Sequence, residues 1–569
     1  MKSLKHAITI EKIIWKTSPV SAFVTLMHAL VSGFIPAVLS SQIERIIHNV
    51  IGDQSWRALV MSLSYIVLFY LMQSLLQMAY SVANNAGIFE KVNLSLRADF
   101  ASRVPEWPAI QFEDVQFLNR IETLRNAVDN EELPMFHFNL MNHLQAIISI
   151  LSLTALLYNY NAYLSLLAFL SASPILINRW MRGNAFNTVR EKVAPESRKV
   201  KLMKSWFYQE PHAKELRVND AYEKIEEKWK ESYNAKTKLE SEVLVEDYRQ
   251  FEFCQMLKFL GFFIALLLSL YLAKAAYIEL GMAAASILAF TNLQMTATDF
   301  FRTMGNGKYY LTRSAGILDL LKSIKDLPSD YDQSQINSGF ELKNICFSYP
   351  GAESDALKAI NLRIDKGERI GIVGANGSGK TTLAKVLIGL YPPTQGELQK
   401  ERMEYVHYVP QDVPKFKLTL REYLNLGQKE NCDDQDLLAC LKQLNFDWTE
   451  ADLSTVLGRE FAGLEFSGGE WQRLAIVKSL LQEADLLVYD EATRAVDPMN
   501  ESFVLERILE ASKESTTIII THRLAICPYL DKILVLNNGH IEAFGKHEEL
   551  LNSSKLYQEI YESQSAAYK

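Results

Sequence analysis

Gly374-Ala375-Asn376-Gly377-Ser378-Gly379-Lys380-Thr381 decides the reading of this chain. The stretch fits G-x-x-x-x-G-K-[ST] without a mismatch, and its flanks agree: Arg369 to Val373 reads as a buried strand and Thr382 to Leu390 as the start of a helix. Glycines here let the backbone turn tightly enough for successive N–H groups to point inward. The positive end of the following helix adds to their attraction for phosphate. Gly374, Asn376, Gly377, Ser378 and Gly379 are therefore expected to cradle a nucleotide's phosphates, with Lys380 on the β- and γ-phosphates, Thr381 on Mg2+ and Thr382 beside it.

About a hundred residues downstream, Phe466-Ser467-Gly468-Gly469-Glu470 is followed by Leu486-Leu487-Val488-Tyr489-Asp490-Glu491. Four apolar residues form a buried strand that delivers Asp490 to the Mg2+ shell, and Glu491 follows at the strand mouth, where a carboxylate can orient or deprotonate an attacking water. Ser467, Gly468 and Gly469 expose N–H groups at the start of a helical stretch, Glu470 to Leu481, which makes a second anion site. One chain cannot easily place two such ends on one nucleotide. The pattern predicts two chains meeting face to face.

With these residues in place, the chain resembles an ABC transporter of the exporter type, in which membrane and ATPase domains share one polypeptide. The resemblance implies ATP and Mg2+ as ligands and assigns further roles by position. Tyr349 matches the aromatic on which adenine stacks, and Gln411, in Val409-Pro410-Gln411-Asp412, the glutamine that contacts Mg2+ and couples to the membrane domain. Ser467 and Gly469 belong on the γ-phosphate held by the partner chain, Asp497 is the D-loop aspartate, and His522, in Thr521-His522-Arg523, the switch histidine. Glu491 and His522 are the expected catalytic pair, and Thr381, Gln411 and Asp490 the expected metal ligands. Three positions depart from the common pattern: Phe466 for leucine, Glu470 for glutamine and Arg494 for serine. None removes a phosphate ligand. Arg494 reads equally well as a pairing group across a dimer and as a solvated surface side chain.

Composition agrees with a division of labour. The 569 residues exceed one ordinary domain, and the 49% hydrophobic share concentrates in the first half. A net charge of −8 gives no sign of nucleic-acid binding, and the five scattered cysteines lack zinc or disulfide spacing. Six apolar segments are long enough to span a bilayer: Val20–Leu39, Ala58–Tyr80, Phe138–Leu157, Ala162–Trp180, Cys254–Ala273 and Ile278–Phe300. The long connections after the second and fourth are rich in lysine and arginine, which predicts that they, both termini and the ATPase domain are cytoplasmic in a multi-pass cell-membrane protein. Lys2 to Lys16 reads as a basic amphipathic helix on the inner membrane surface.

The fold class expected is therefore multi-domain: an all-α, six-helix transmembrane domain over residues 1–325, a polar linker over 326–339 and an α/β P-loop ABC ATPase domain over 340–569. Pro108 to Leu118 and Gln209 to Tyr222 resemble the coupling helices of exporters. The N-terminus leaves no room for a protease-like domain, so leader removal would fall to a separate peptidase, with modifying enzymes as further partners.

The expected activity is ATP-driven export by alternating access in a homodimer. Polar residues in the spans are cavity candidates, namely Gln73, Gln77, Asn139, Asn142, His143, Gln145, Asn292, Gln294 and Asp299, with hydrogen-bonded helix packing as the competing reading. Glu470-Trp471-Gln472 and Ala213-Lys214-Glu215-Leu216-Arg217 resemble exporters of ribosomally made antimicrobial peptides such as lantibiotics. A modified peptide is the expected cargo, with multidrug or lipid export as the alternative.

Overall fold

The computed structural model describes residues 2–52, 56–182, 185–325, 334–335, 339–401, 403, 405–446, 448–494, 496, 498–513 and 515–567. Most of the expected linker and Asp497 lie outside the described residues. Two compact units emerge, Met1–Pro105 with Ile121–Lys325, and Glu106–Arg120 with Asp326–Lys569.

The first unit is helical throughout: α1 (Lys2–Thr17), α2 (Pro19–Ile51), α3 (Trp56–Val82), a π-helical turn (Ala83–Glu90), α4 (Lys91–Arg103), α5 (Val115–Asp129, whose first turns, to Arg120, belong to the second unit), α6 (Glu132–Tyr160), α7 (Ala162–Arg182), α8 (Ala185–Trp206), α9 (Glu210–Val218), α10 (Tyr222–Lys274) and α11 (Leu280–Lys325). Among the described residues five helical stretches are long and apolar enough to cross a membrane, in α2, in α3 with its continuation, and in α6, α10 and α11. A sixth apolar stretch, Ala162–Asn178, is shorter. Each coincides with one of the six apolar segments read from the sequence. Within α2 and α3 the side chains are apolar all round rather than along one stripe, the pattern of helices that meet lipid or protein on every side, whereas the first half of α10 is rich in lysine and glutamate.

Two clusters hold the bundle. Leu153, Leu157, Leu164, Ala265, Ala289 and Phe290 join α6, α7, α10 and α11. Ile10 and Ile14 of α1 are fully buried with Ile88, Val92, Leu133 and Phe136, whereas Leu4, Ile8 and Trp15 of the same helix are exposed. One apolar face of the N-terminal helix is thus packed inside the bundle, and a second remains free of it. Gly87 lies in the π-helical turn where α2 approaches most closely: a Cβ there would sit 1.9 Å from Ser21 Oγ, so only glycine fits.

The second unit contains β1 (Ser334–Gln335), β2 (Phe340–Phe347), β3 (Leu357–Ile364), β4 (Arg369–Val373), α12 (Lys380–Leu387), β5 (Gln395–Lys400), β6 (Val406–Val409), α13 (Leu420–Asn425), α14 (Asp434–Gln443), α15 (Glu450–Leu453), α16 (Gly468–Leu480), β7 (Leu486–Asp490), α17 (Pro498–Ala511), β8 (Thr516–Ile520), β9 (Lys532–Asn537), β10 (His540–Gly545), α18 (His547–Ser553) and α19 (Lys555–Ala567). Its main sheet has the order β10-β9-β4-β8-β7-β6, with β10 antiparallel to β9 and the remaining pairs parallel. Buried on both faces, the parallel strands are runs of apolar residues: every position of β7 and β8 is buried. A second sheet, β1-β5-β2-β3, packs its Phe340, Leu342, Ile345 and Phe347 against the α12 side of the main one.

Because β4, β6, β7 and β8 run in the same direction, their carboxyl ends open at one edge of the sheet, where α/β folds place their ligands. A short 3-10 turn, Ala109–Glu113, belongs to this unit. Ala109 and Ile110 pack against its core, and Tyr391 donates its hydroxyl hydrogen bond to Glu113, with Lys385 3.8 Å from the same carboxylate. Trp107, Phe112 and Phe117 form an aromatic cluster within the segment, at ring distances of 5.4 to 6.1 Å.

Candidate functional site

The loop between β4 and α12 has the conformation its glycines allow. Gly374 has φ +153°, and a Cβ there would lie 2.2 Å from the Leu536 carbonyl, so no other residue fits. Lys380, at the first turn of α12, curls back over the loop and donates to the carbonyls of Gly374 (2.9 Å) and Ala375 (3.0 Å). Burial pulls its ammonium below the usual lysine range, against the opposing pull of the Glu491 and Asp490 carboxylates. Ser378 Oγ is buried with no hydrogen-bond partner among the described residues, an orphan inside a phosphate-shaped loop. Tyr349 packs edge-on against Phe347 and Tyr391 and shares a 3.0 Å hydrogen bond with the Thr382 hydroxyl.

Asp490 ends β7 fully buried. Tyr408 of β6, whose register pairs it with Val488, donates to Asp490 Oδ2 at 3.2 Å. Burial pushes the Asp490 carboxyl above the usual aspartate range, while hydrogen bonds from Thr381 and Tyr408 pull the other way. Its Oδ1 has no partner among the described residues. An unpartnered buried carboxylate oxygen beside a threonine hydroxyl and a glutamine amide is an all-oxygen donor set that suits a hard divalent cation such as Mg2+.

Glu491, one residue on, gathers three groups. Gln411 donates Nε2 to its Oε2 at 3.0 Å, His522 Nε2 lies 3.0 Å from Oε1, and Arg494 Nη1 lies 3.8 Å from Oε2. The backbone of Glu491 is left-handed, φ +49°, with its N–H donated to the Ile520 carbonyl of β8 at 3.0 Å. A cavity of about 340 Å³ lies here, lined by Asn376, Gln411, Glu491, Thr493, Arg494, Thr521, His522 and Arg523. A neighbouring one of about 590 Å³ includes Thr381, Lys385, Tyr408, Gln411 and Asp490, so that Gln411 lines both.

Ser467, Gly468 and Gly469 line neither cavity. They start α16, where a capping box closes: Ser467 N–H and Oγ–H donate to Glu470 Oε2 at 2.8 Å each, and Glu470 N–H donates back to Ser467 Oγ at 3.3 Å. Phe466 is buried against Trp448 and Trp471 at 5.3 and 5.8 Å, so the bulkier anchor is accommodated by aromatic packing.

The structure thus brings Gln411, Asp490, Glu491 and His522 to the P-loop edge and keeps the residues at the start of α16 apart from it. Arg494 points at Glu491 of its own chain, and Asp497 lies outside the described residues. Sequence reasoning missed Tyr408, Thr493 and Arg523 as site residues. Tyr408 gave no signal of its own, because its contact depends on the pairing of β6 with β7. In the first unit, the nine polar span residues divide: Gln77 bonds His28 (2.9 Å), Asn139 donates to the Met135 carbonyl (2.8 Å) and Gln294 to Ser171 (2.8 Å). His143 is hydrogen-bonded to the Asn139 carbonyl (2.6 Å) and to Thr303 Oγ1 (3.3 Å), and it also lines a cavity of about 860 Å³ with Phe136, Leu140, Ile147, Phe300 and Met304.

Residues 357–494 match the ABC transporter family. The chain is 34% identical over 238 residues to the nisin transport ATP-binding protein of Lactococcus lactis subsp. lactis, covering 39% of this chain and 40% of that protein. It is 34% identical over 240 residues to the subtilin transport ATP-binding protein of Bacillus subtilis, 39% of each. A third relative, the ATP-dependent lipid A-core flippase of Chromobacterium violaceum, is 34% identical over 235 residues, 39% of this chain and 40% of that protein. The chain spans about two fifths of the length of these relatives in the matched region.

Proposed function

We propose, for a multi-pass membrane chain whose residues 357–494 belong to the ABC transporter family and form an ATP-binding domain, that it is one half of an ATP-driven exporter working as a homodimer. The observation that carries the proposal is the convergence of Gln411 and His522 on Glu491, both at 3.0 Å, beside an intact P-loop. In this reading residues 1–325 are the membrane domain, 326–339 the linker and 340–569 the ATPase domain, with both termini cytoplasmic.

ATP lies on the P-loop with its adenine at Tyr349. Lys380 leaves the Gly374 and Ala375 carbonyls for the β- and γ-phosphates. Thr381, Asp490 and Gln411 would hold Mg2+, which would supply positive charge to offset that of the phosphates. Water attacks the γ-phosphorus, its proton passes toward Glu491 and the bond to the bridging oxygen of ADP breaks, with His522 positioning the γ-phosphate. Ser467 and Gly469 of the partner chain, with Gly468 between them and Asp497 alongside, complete each site, so that ATP binding draws two chains together. Closure turns the cavity outward and hydrolysis resets it.

Peptide cargo is supported by Glu470-Trp471-Gln472 and by relatives named for nisin and subtilin transport. The flippase relative, equally similar over an equal share, supports a lipid cargo as the second reading. The test is ATP turnover of the full chain in lipid nanodiscs across peptides, drugs and lipids. Lys380→Ala is expected to weaken ATP binding, and Glu491→Gln to bind ATP and stay closed with turnover down by about 100-fold or more. Full turnover by Glu491→Gln would remove the assigned base, and stimulation by lipids but not peptides would select the second reading.

A further inference from the structure

Glu491 holds a backbone conformation that glutamate rarely adopts, φ +49°, at the end of β7. Such strain persists only where the surroundings over-determine it. The turn that follows is tight, with Arg494 N–H donating to the Glu491 carbonyl at 3.0 Å and Val496 N–H to the Thr493 carbonyl at 3.1 Å. On the other side of the cavity, in the His522 loop, Thr521 N–H donates to the Ile372 carbonyl (3.3 Å), Arg523 N–H to Thr521 Oγ1 (2.9 Å) and Thr521 Oγ1–H to the Arg523 carbonyl (3.4 Å). The pairing of β7 with β8 sets the two loops side by side, and the Glu491 and His522 side chains meet between them at 3.0 Å.

One buried carboxylate touches both. Glu501, in the first turn of α17, is 8% exposed. Thr493, two residues after Glu491 and itself 8% exposed, donates its hydroxyl to Glu501 Oε1 at 3.0 Å. Arg523, next to His522, places its guanidinium on Glu501 Oε2. We propose that Glu501 is a positioning residue that clamps the Glu491 turn to the His522 loop. A buried carboxylate is costly unless paired and hydrogen-bonded, and here both oxygens are used, one on each loop. Removing it would free the two loops together and leave Arg523 without its counter-charge. This rests on the reading of Glu491 and His522 as the hydrolytic pair.

The test uses the full chain in nanodiscs. Without nucleotide, hydrogen exchange of peptides covering 490–494 and 521–524 is expected to speed up in both for Glu501→Ala, by about 10-fold or more. Glu501→Gln, of equal volume, keeps an acceptor for Thr493 and drops the charge on Arg523, so its effect should concentrate in 521–524. In turnover, Glu501→Ala should lower kcat by about 10- to 100-fold with KM for ATP within about 3-fold, and add nothing further on a Glu491→Gln background, because residues acting as one unit are non-additive. Unchanged exchange in both peptides overturns the clamp. So does a loss that falls on KM, or one that multiplies with Glu491→Gln. If Glu501→Ala fails to assemble, Glu501→Gln and Arg523→Lys decide the matter by the same exchange readout. Absent turnover in the unaltered chain would overturn the ATPase reading, while the exchange result would still decide the clamp.

Discussion

Asp490 stands apart among the site's residues because it is fully buried, receives Tyr408 on one oxygen and has no partner for the other among the described residues. Its carboxyl is pushed upward by burial, which means that the folded state binds its proton more tightly than the unfolded chain does. Below the unfolded value, near about 4, both states are protonated and nothing is lost. As pH rises through the raised folded value the ionised form costs stability, and that cost is then constant. Asp490→Asn should therefore stabilise the chain free of Mg2+ and nucleotide at pH 7 by about 1 kcal/mol, and by less at pH 5. Thermal unfolding at the two pH values checks the sign; greater stabilisation at pH 5 would reverse the argument. Adding Mg2+ and ATP should then raise the melting temperature of wild type more than that of the variant. Asp490 itself was legible in the sequence, since four apolar residues before Asp-Glu leave few alternatives to a strand that delivers them. Tyr408 was not. Its contact arises from the parallel register of β6 on β7, which residues eighty positions apart do not announce.

Helix α16 shows how a departure from a common pattern can be locally consistent. Glu470 accepts the N–H and hydroxyl of Ser467, and a glutamine could close the same box without its charge. Glu470→Gln should leave stability within about 0.5 kcal/mol, whereas Ser467→Ala should cost about 1 kcal/mol, the usual value of an N-cap. Glu470→Gln also removes a negative charge from a helix start that the proposed dimer offers to a phosphate, so half-maximal turnover should move to lower ATP concentration, by about 2- to 5-fold and less at high salt. A shift to higher ATP concentration would mean that the carboxylate assists binding. The apolar segment Ala58–Tyr80 lies just inside Trp56–Val82, whereas Tyr222–Lys274 and Leu280–Lys325 run far beyond the apolar segments they contain. The π-helical turn at Ala83–Glu90 was invisible in the residues, because the widening of a helix by one residue has no side-chain signature comparable to a proline or a cap.

At the scale of the molecule, residues 106–120 fold with the second unit although they stand between two stretches of the helical one. The aromatic richness of Trp107, Phe112 and Phe117 was there to be read, and the resemblance named Pro108–Leu118, but the pairing of Glu113 with Tyr391 and Lys385 required the fold. Tyr391→Phe removes the hydroxyl while keeping the ring stacked on Phe347 at 5.6 Å, so ATP affinity should stay within about 2-fold. Stimulation of turnover by cargo should fall by about half or more if this contact transmits it, corresponding to about 0.5 kcal/mol or more of coupling. Equal stimulation in Tyr391→Phe and wild type would exclude that role. The same arrangement has a consequence for how the protein is made. Roughly two hundred residues separate Arg120 from Asp326, so during synthesis Ala109 and Ile110 emerge long before the surface that covers them exists. Their apolar side chains must wait, shielded by bilayer, chaperone or neighbouring helices, until Tyr391 and its strands leave the ribosome. Closing that gap is a late, long-range step, and the ATPase unit is finished only by a segment translated before it began.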